Sequence, residues 1–377
     1  MVHLLRDAGA HVVKSDGAAL VLEVPVGPRA EPGTDETQSP LFRVLRALAV
    51  TVADLVARAA PPKDFGRPAT EQVVIGVDLG GTKIEAIVAR RTRTTDLPVL
   101  VRHRVSTPAH EGYEAIVQAT CNLLSHVAKE AQVDLKTIPI GVGMPGGVTR
   151  RTGVVKNSNT VCLNDRPFRT DLQDRLGRPV AVDNDANCFT LAEALLGAAS
   201  EHRDGVVFGV ILGTGVGGGI SFGGRVWSGA QGIAGEWGHT AVWPERETQC
   251  YCGRRGCVEL YASGPAVEKL YTRLSGVHLK LSEIVLRRTS DPHAEAVIED
   301  FLNTFGRGLA NVIDVLDPSA VVLGGGVSNV DLLYTEGISR VAGYVFNDEL
   351  TTPILRNALG DSAGVYGAAL IAENGSK

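Results

Sequence analysis

The residues best suited to chemistry crowd into one stretch, Gly235 to Glu259, reading GEWGHTAVWPERETQCYCGRRGCVE. His239 is followed by Cys250, Cys252 and Cys257. One imidazole and three thiols are the ligand set of a closed tetrahedral Zn²⁺ site. Three of the six cysteines fall within eight residues, and Gly253 and Gly256 provide the tight turn between them. Three buried structural cysteines beside an unrelated histidine is the plainer account, and the clustering argues against it. Two carboxylates, Glu236 and Glu259, bracket the span. It reads as a metal-pinned loop that presents acidic and imidazole groups to a substrate.

A second acidic group lies at Asp183-Asn184-Asp185. A short strand, Val180 to Val182, delivers it, and a helix from Cys188 to Ala199 follows. Asp185 is either a helix cap or a carboxylate able to take a proton from a substrate hydroxyl. Two glycine-rich turns sit between strands. Val73 to Val77 runs into Asp78-Leu79-Gly80-Gly81-Thr82-Lys83 and out through Ile84 to Val88. Val206 to Leu212 runs into Gly213-Thr214-Gly215-Val216-Gly217-Gly218-Gly219 and out through Ile220 to Phe222. No helix follows either set of glycines, which excludes a Rossmann fingerprint and a Walker loop. Backbone N–H groups and the Thr82 hydroxyl can cradle phosphate oxygens, and Asp78 can hold Mg²⁺ through water. A plain hairpin turn explains either unit alone. Two of them, one opening each half, predict a duplicated fold whose lobes grip one nucleotide. Gly324-Gly325-Gly326, after the strand Ala320 to Leu323, offers a flat turn for adenine or ribose. Gly146 ends a Gly-Met-Pro-Gly turn after the strand Ile138 to Val142, and Lys156 to Asn159 is an amide-rich loop suited to hydroxyl groups.

The elements that must position these groups fit a chain of 377 residues, long enough for two domains. Tyr113 to Gln132, Gly264 to Leu274, Asp291 to Leu316 and Val365 to Glu373 read as helices. With 37 basic and 42 acidic side chains the net charge is −5, and no half is basic, so nucleic acid and anionic membranes are not expected partners. No stretch is apolar enough to span a bilayer. Scattered Cys121, Cys162 and Cys188 form no disulfide framework, which implies a reducing cytoplasm. Residues 1–70 stand apart: a hairpin around Ser15-Asp16-Gly17, a polar linker and a helix over Pro40 to Ala60. A translation start placed upstream of the true one also explains this extension.

Taken together, Asp78-x-Gly-Gly-Thr-Lys83, Asn184-Asp185-Ala-Asn187, Leu212-Gly-Thr-Gly-x-Gly217, Gly235-Glu236-x-Gly-His239, Cys250-x-Cys252-Gly-x-x-Gly-Cys257-x-Glu259 and Leu323-Gly-Gly-Gly326 resemble the ROK family over residues 73–372. That family comprises sugar kinases and sugar-responsive repressors on the α/β actin-like ATPase (ribonuclease H-like) fold. The resemblance implies a small lobe of residues 71–185 plus 355–377, a larger lobe of 186–354, and a cleft between them. It implies ATP-dependent phosphorylation of a hexose hydroxyl, the 6-hydroxyl, with Asp185 as base, Mg²⁺ at the phosphates and a structural zinc. By the same carry-over Asn184, Glu236, His239 and Glu259 meet sugar hydroxyls, as do Gly146 and Asn159. His239 gives one ring nitrogen to zinc and the other to the sugar. A homodimer is expected. Thr152 to Asn159, Leu163-Asn164, Cys250 to Gly253, Leu323 to Asp331 and Gly360 to Gly367 are similar to bacterial fructokinases of the mannofructokinase type, so fructose is the expected substrate. Glucose, mannose or an N-acetylhexosamine is the alternative, and a repressor the alternative of another class. Thr160-Val161-Cys162 departs from the Ser/Thr–Trp pair expected beside the sugar, and the segment between His239 and Cys250 is shortened. Against a repressor, residues 1–40 do not read as a helix-turn-helix.

Overall fold

A computed structural model of the chain describes residues 11–15, 20–23, 71–92 and 96–372. The chain divides into two compact units, residues 1–64 and 65–377. In the first, β1 (His11–Ser15) and β2 (Leu20–Glu23) pair antiparallel. This is the expected hairpin; its turn and the helix expected at 40–60 lie outside the described residues.

The second unit opens with β3 (Gln72–Leu79), β4 (Lys83–Arg91) and β5 (Val99–Ser106), then α1 (Tyr113–Glu130) and β6 (Ile140–Met144). A small ribbon of β7 (Gly147–Val148) and β8 (Val155–Lys156) precedes α2 (Phe168–Leu176), β9 (Ala181–Asn184) and α3 (Asp185–Leu195). The chain continues through β10 (Val206–Leu212), β11 (Val216–Phe222) and β12 (Arg225–Val226). Helices α4 (Glu259–Ala262), α5 (Gly264–Ser275), α6 (Leu281–Arg287) and α7 (Pro292–Leu316) lead to β13 (Ala320–Gly324), α8 (Glu336–Tyr344), β14 (Ile354–Arg356) and α9 (Ala363–Ile371).

Two five-stranded sheets share one topology: β5-β4-β3-β6-β9 and β12-β11-β10-β13-β14. In each, an antiparallel hairpin and a third antiparallel strand are followed by two parallel strands. The duplication expected from the paired glycine turns is therefore real. Helices α3 and α9 lie against each other; α9 covers β3 and β6, and α3 covers β10 and β11. The buried Glu193 of α3 accepts from the backbone N–H groups of Ala198, Ala358 and Leu359, which ties α3 to the chain entering α9. The longest helix, α7, starts at Asp291, whose carboxylate accepts from the N–H groups of His293 and Ala294, with proline next. Its Val297, Phe301, Phe305 and Leu309 recur at helical spacing and are buried in the core of the second sheet.

One expectation fails instructively. Gly217 to Gly219 belong to β11 and not to a turn, which is only Gly213 to Gly215. Helix α3 crosses β11 so closely that a Cβ on Gly219 would lie 2.6 Å from the Ala186 carbonyl oxygen. Glycine serves helix-on-sheet packing there. Among the described residues, no helix is long and apolar enough to cross a membrane.

Candidate active site

The parallel strands end on one side, and the loops there line a cleft of about 930 Å³. That volume suits a small ligand with part of a second one. Asp185, Asn184, Gly146, Asn159, Glu236, His239 and Glu259 all line it, as do Gly213, Thr214, Gly215 and Gly217. Residues far apart in sequence thus converge as expected. Asp78, Gly80, Gly81, Thr82 and Lys83 lie outside this lining, as do Gly324 and Gly325. Gly325 and Gly81 stand against residues one position away from the lining. Gly325 packs so tightly on the end of β10 that a Cβ would lie 2.3 Å from the Leu212 carbonyl oxygen. Gly81 faces the Thr160 hydroxyl, 3.5 Å from where its Cβ would stand.

Asp185 begins α3, but it is not the cap. Asn184 is: its Oδ1 accepts the Ala186 N–H at 2.9 Å, and its Nδ2 donates to the Gly146 carbonyl at 3.0 Å. The capping duty weighed for Asp185 falls to its neighbour. Asp185 keeps one oxygen on the Ala186 N–H at 2.9 Å, and burial, with Glu236 nearby, raises its pKa to about 6. Asp78 is raised to about 7 by burial and by the charges of Asp185 and Glu85. Burial also raises Glu236, with Glu259 adding to the shift and His239 opposing it. Carboxylates held together away from water favour accepting a proton or a cation.

None of Gly80, Gly81, Gly213 and Gly215 has a positive φ, so a strained turn does not require glycine at these positions. A Cβ on Gly213 would meet nothing within 4 Å. The bare backbone there faces the cleft. Glu259 buttresses this loop, accepting the Val216 N–H at 2.9 Å.

The four expected metal ligands come together, with all ligand atoms of His239, Cys250, Cys252 and Cys257 within 4.8 Å of one another. Cys250 Sγ lies 3.6 Å from His239 Nδ1, and Cys252 Sγ lies 3.6 Å from Cys257 Sγ. Zn–S bonds of about 2.3 Å on tetrahedral geometry give S···S edges of about 3.7 Å. The donor set fits zinc in type and spacing. The shortened segment after His239 is clamped to α7. Arg246 forms a two-pronged pair with Asp300 at 2.9 and 2.6 Å and stacks 4.2 Å from the centre of Trp243, whose Nε1 donates to Thr304.

The second ring nitrogen of His239 has a side-chain partner. Its Nε2 is engaged by the Tyr251 hydroxyl at 2.9 Å, within a cleft wall that both residues share. Sequence reasoning passed over Tyr251 because a tyrosine between two cysteines carries no signature of its own. Gly364 was also passed over. A Cβ there would lie 2.7 Å from Asp78 Oδ2, so the first turn of α9 leaves room for that carboxylate.

Two like-folded sheets, paired glycine loops and a cleft lined by buried carboxylates are, with the relatives below, those of an ATP-dependent sugar kinase on the actin-like ATPase fold. The ROK family model matches residues 74–374, and the chain belongs to that family. It is 36% identical over 309 residues to an N-acetyl-D-glucosamine kinase of Histophilus somni, an alignment covering 78% of this chain and 97% of that protein. A ROK hexokinase from Thermus thermophilus superposes with a TM-score of 0.71 at 36% identity, covering 80% of this chain and 98% of that one. A ROK family glucokinase from Streptomyces griseus, solved with glucose and AMPPNP, superposes with a TM-score of 0.64 at 31% identity, covering 80% of this chain and all of that one.

Proposed function

We propose that the protein transfers the γ-phosphate of ATP to the 6-hydroxyl of N-acetyl-D-glucosamine. The observation that carries the choice of sugar is the set of relatives bearing that name, 36–37% identical along 97–98% of their length. The fructose preference expected from sequence finds no support among them, and the N-acetylhexosamine alternative replaces it.

In this reading Asp185 accepts the hydroxyl proton as that oxygen attacks the γ-phosphorus and the bond to the β-phosphate oxygen breaks, releasing ADP. Asn184, Glu236 and Glu259, with Gly146 and Asn159, take the sugar hydroxyls, and His239 meets the sugar through Tyr251. The turns at 78–83 and 213–215 would take the phosphates, Asp78 would hold water-bound Mg²⁺, and Gly324-Gly325 would face the nucleoside. Residues 71–185 with 357–372 form one lobe and 186–356 the other, because Leu355 and Arg356 pair with β13 in the second sheet. Zn²⁺ on His239, Cys250, Cys252 and Cys257 fixes the sugar wall and takes no part at the phosphate.

The test is ADP release from the purified full chain with ATP–Mg²⁺ and a panel of N-acetyl-D-glucosamine, N-acetyl-D-mannosamine, glucose, mannose and fructose. N-acetyl-D-glucosamine should give the highest kcat/KM; a higher value with fructose overturns the assignment. Gly364→Ala tests the role of Asp78 without touching its charge. The new methyl displaces the carboxylate, and kcat with ATP–Mg²⁺ should fall roughly 10-fold at unchanged folding. An unaltered Mg²⁺ dependence would remove Asp78 from the metal site.

A further inference from the structure

Tyr251 is 73% exposed, and its exposure faces a cleft that it lines together with Glu236, His239 and Glu259. Its ring stands edge-on to that of His239, with centroids 5.0 Å apart, and its hydroxyl meets His239 Nε2 at 2.9 Å. The other nitrogen, Nδ1, faces the thiol of Cys250. An imidazole whose Nδ1 serves a metal keeps its proton on Nε2. The Tyr251 oxygen is then the acceptor of that N–H, and the phenol's own hydrogen is left to point away from the imidazole.

The rest of the wall is rich in acceptors. Glu236, Glu259, Asp185 and the side-chain oxygens of Asn159 and Asn184 all suit the hydrogens of sugar hydroxyls. A directed O–H donor among them suits a substrate group that only accepts. Val161 lines the same cleft, 76% exposed, and presents apolar surface where a sugar carries few apolar groups.

We propose that Tyr251 builds an acetamido subsite: its hydroxyl, oriented by His239, donates to the carbonyl oxygen of a 2-acetamido group, and Val161 offers apolar surface to its methyl. This deepens the proposed function and rests on it. A hexose 2-substituent and its 6-hydroxyl lie on opposite sides of the ring, so a sugar reacting at Asp185 extends its 2-position away from the base.

The test is steady-state kinetics of the full chain and of Tyr251→Phe with N-acetyl-D-glucosamine, glucosamine and glucose, with zinc content measured on both proteins. Phenylalanine keeps the ring and removes only the donor. The variant should retain its metal and lose roughly 10-fold in kcat/KM for N-acetyl-D-glucosamine, chiefly through KM, while glucosamine and glucose change less than about 3-fold. Equal losses on all three sugars would assign Tyr251 to structure alone and overturn the subsite. No loss on any would do the same. A wild-type protein without preference for the acetamido sugar overturns both readings. A preference that survives Tyr251→Phe overturns only this one.

Discussion

Asp185→Asn abolishes measurable turnover, or lowers kcat by about 10²–10⁴-fold, with sugar and nucleotide still bound. The amide preserves size and can still accept the Ala186 N–H, so α3 begins as before. It cannot take a proton. The wild-type pH profile carries the same information. The Asp185 pKa is raised to about 6, so the base is ionised at pH 7 and becomes protonated as pH falls through 6. kcat/KM should therefore be flat on the neutral side and drop toward tenfold per unit well below pH 6. Residual turnover of the asparagine variant should lack that limb. A variant that keeps full turnover, or keeps the limb with it, transfers the base assignment elsewhere; Asp78, raised to about 7, is the group to examine next.

Cys257→Ser should have the second large effect. Cys257 is fully buried, and its backbone bridges to Ala241, so one end of the bridge stands two residues from Glu259 and the other two residues from His239. Removing one thiolate from a four-ligand site opens the coordination shell and frees the imidazole. Zinc content should fall from one per chain toward zero. KM for the sugar should rise by 10-fold to 100-fold, the range found when the support of a metal-bound histidine is lost. The thermal midpoint should drop, since metal affinity is linked to folding. Prolonged treatment of wild type with a strong chelator should reproduce the kinetic change, and zinc alone should reverse it. Full sugar affinity in demonstrably zinc-free protein would falsify the staple role.

Much of this site was legible because its residues are rare types at fixed spacings. Three cysteines within eight residues, glycines after buried strands and an acid at a strand end each mark chemistry without a structure. The duplicated topology followed from two similar turns. Helices α2, α6 and α8 were not legible. They are short, and their stability comes from packing rather than from their own pattern. The glycines of β11 misled because a turn and a close helix contact ask for the same residue. Tyr251 was silent because its partner His239 is 12 residues away, a relation that only folding creates. The choice of sugar is hard to read for a related reason. Val161 and Tyr251 line the cleft, but they occupy variable positions within or beside the motifs, where the sequence does not say what they face.

The closeness of α3 to β11 has a practical side. Asp185 opens that helix, and the loop at Gly213 to Gly215 opens that strand, so the spacing between base and phosphate loop is set where two main chains touch. No rotamer intervenes. Directed evolution can therefore recut the outer wall at Val161 and Tyr251 for other sugars while leaving the reactive alignment intact. A library that includes Gly218 or Gly219 would instead return mostly inactive clones, whatever sugar is supplied.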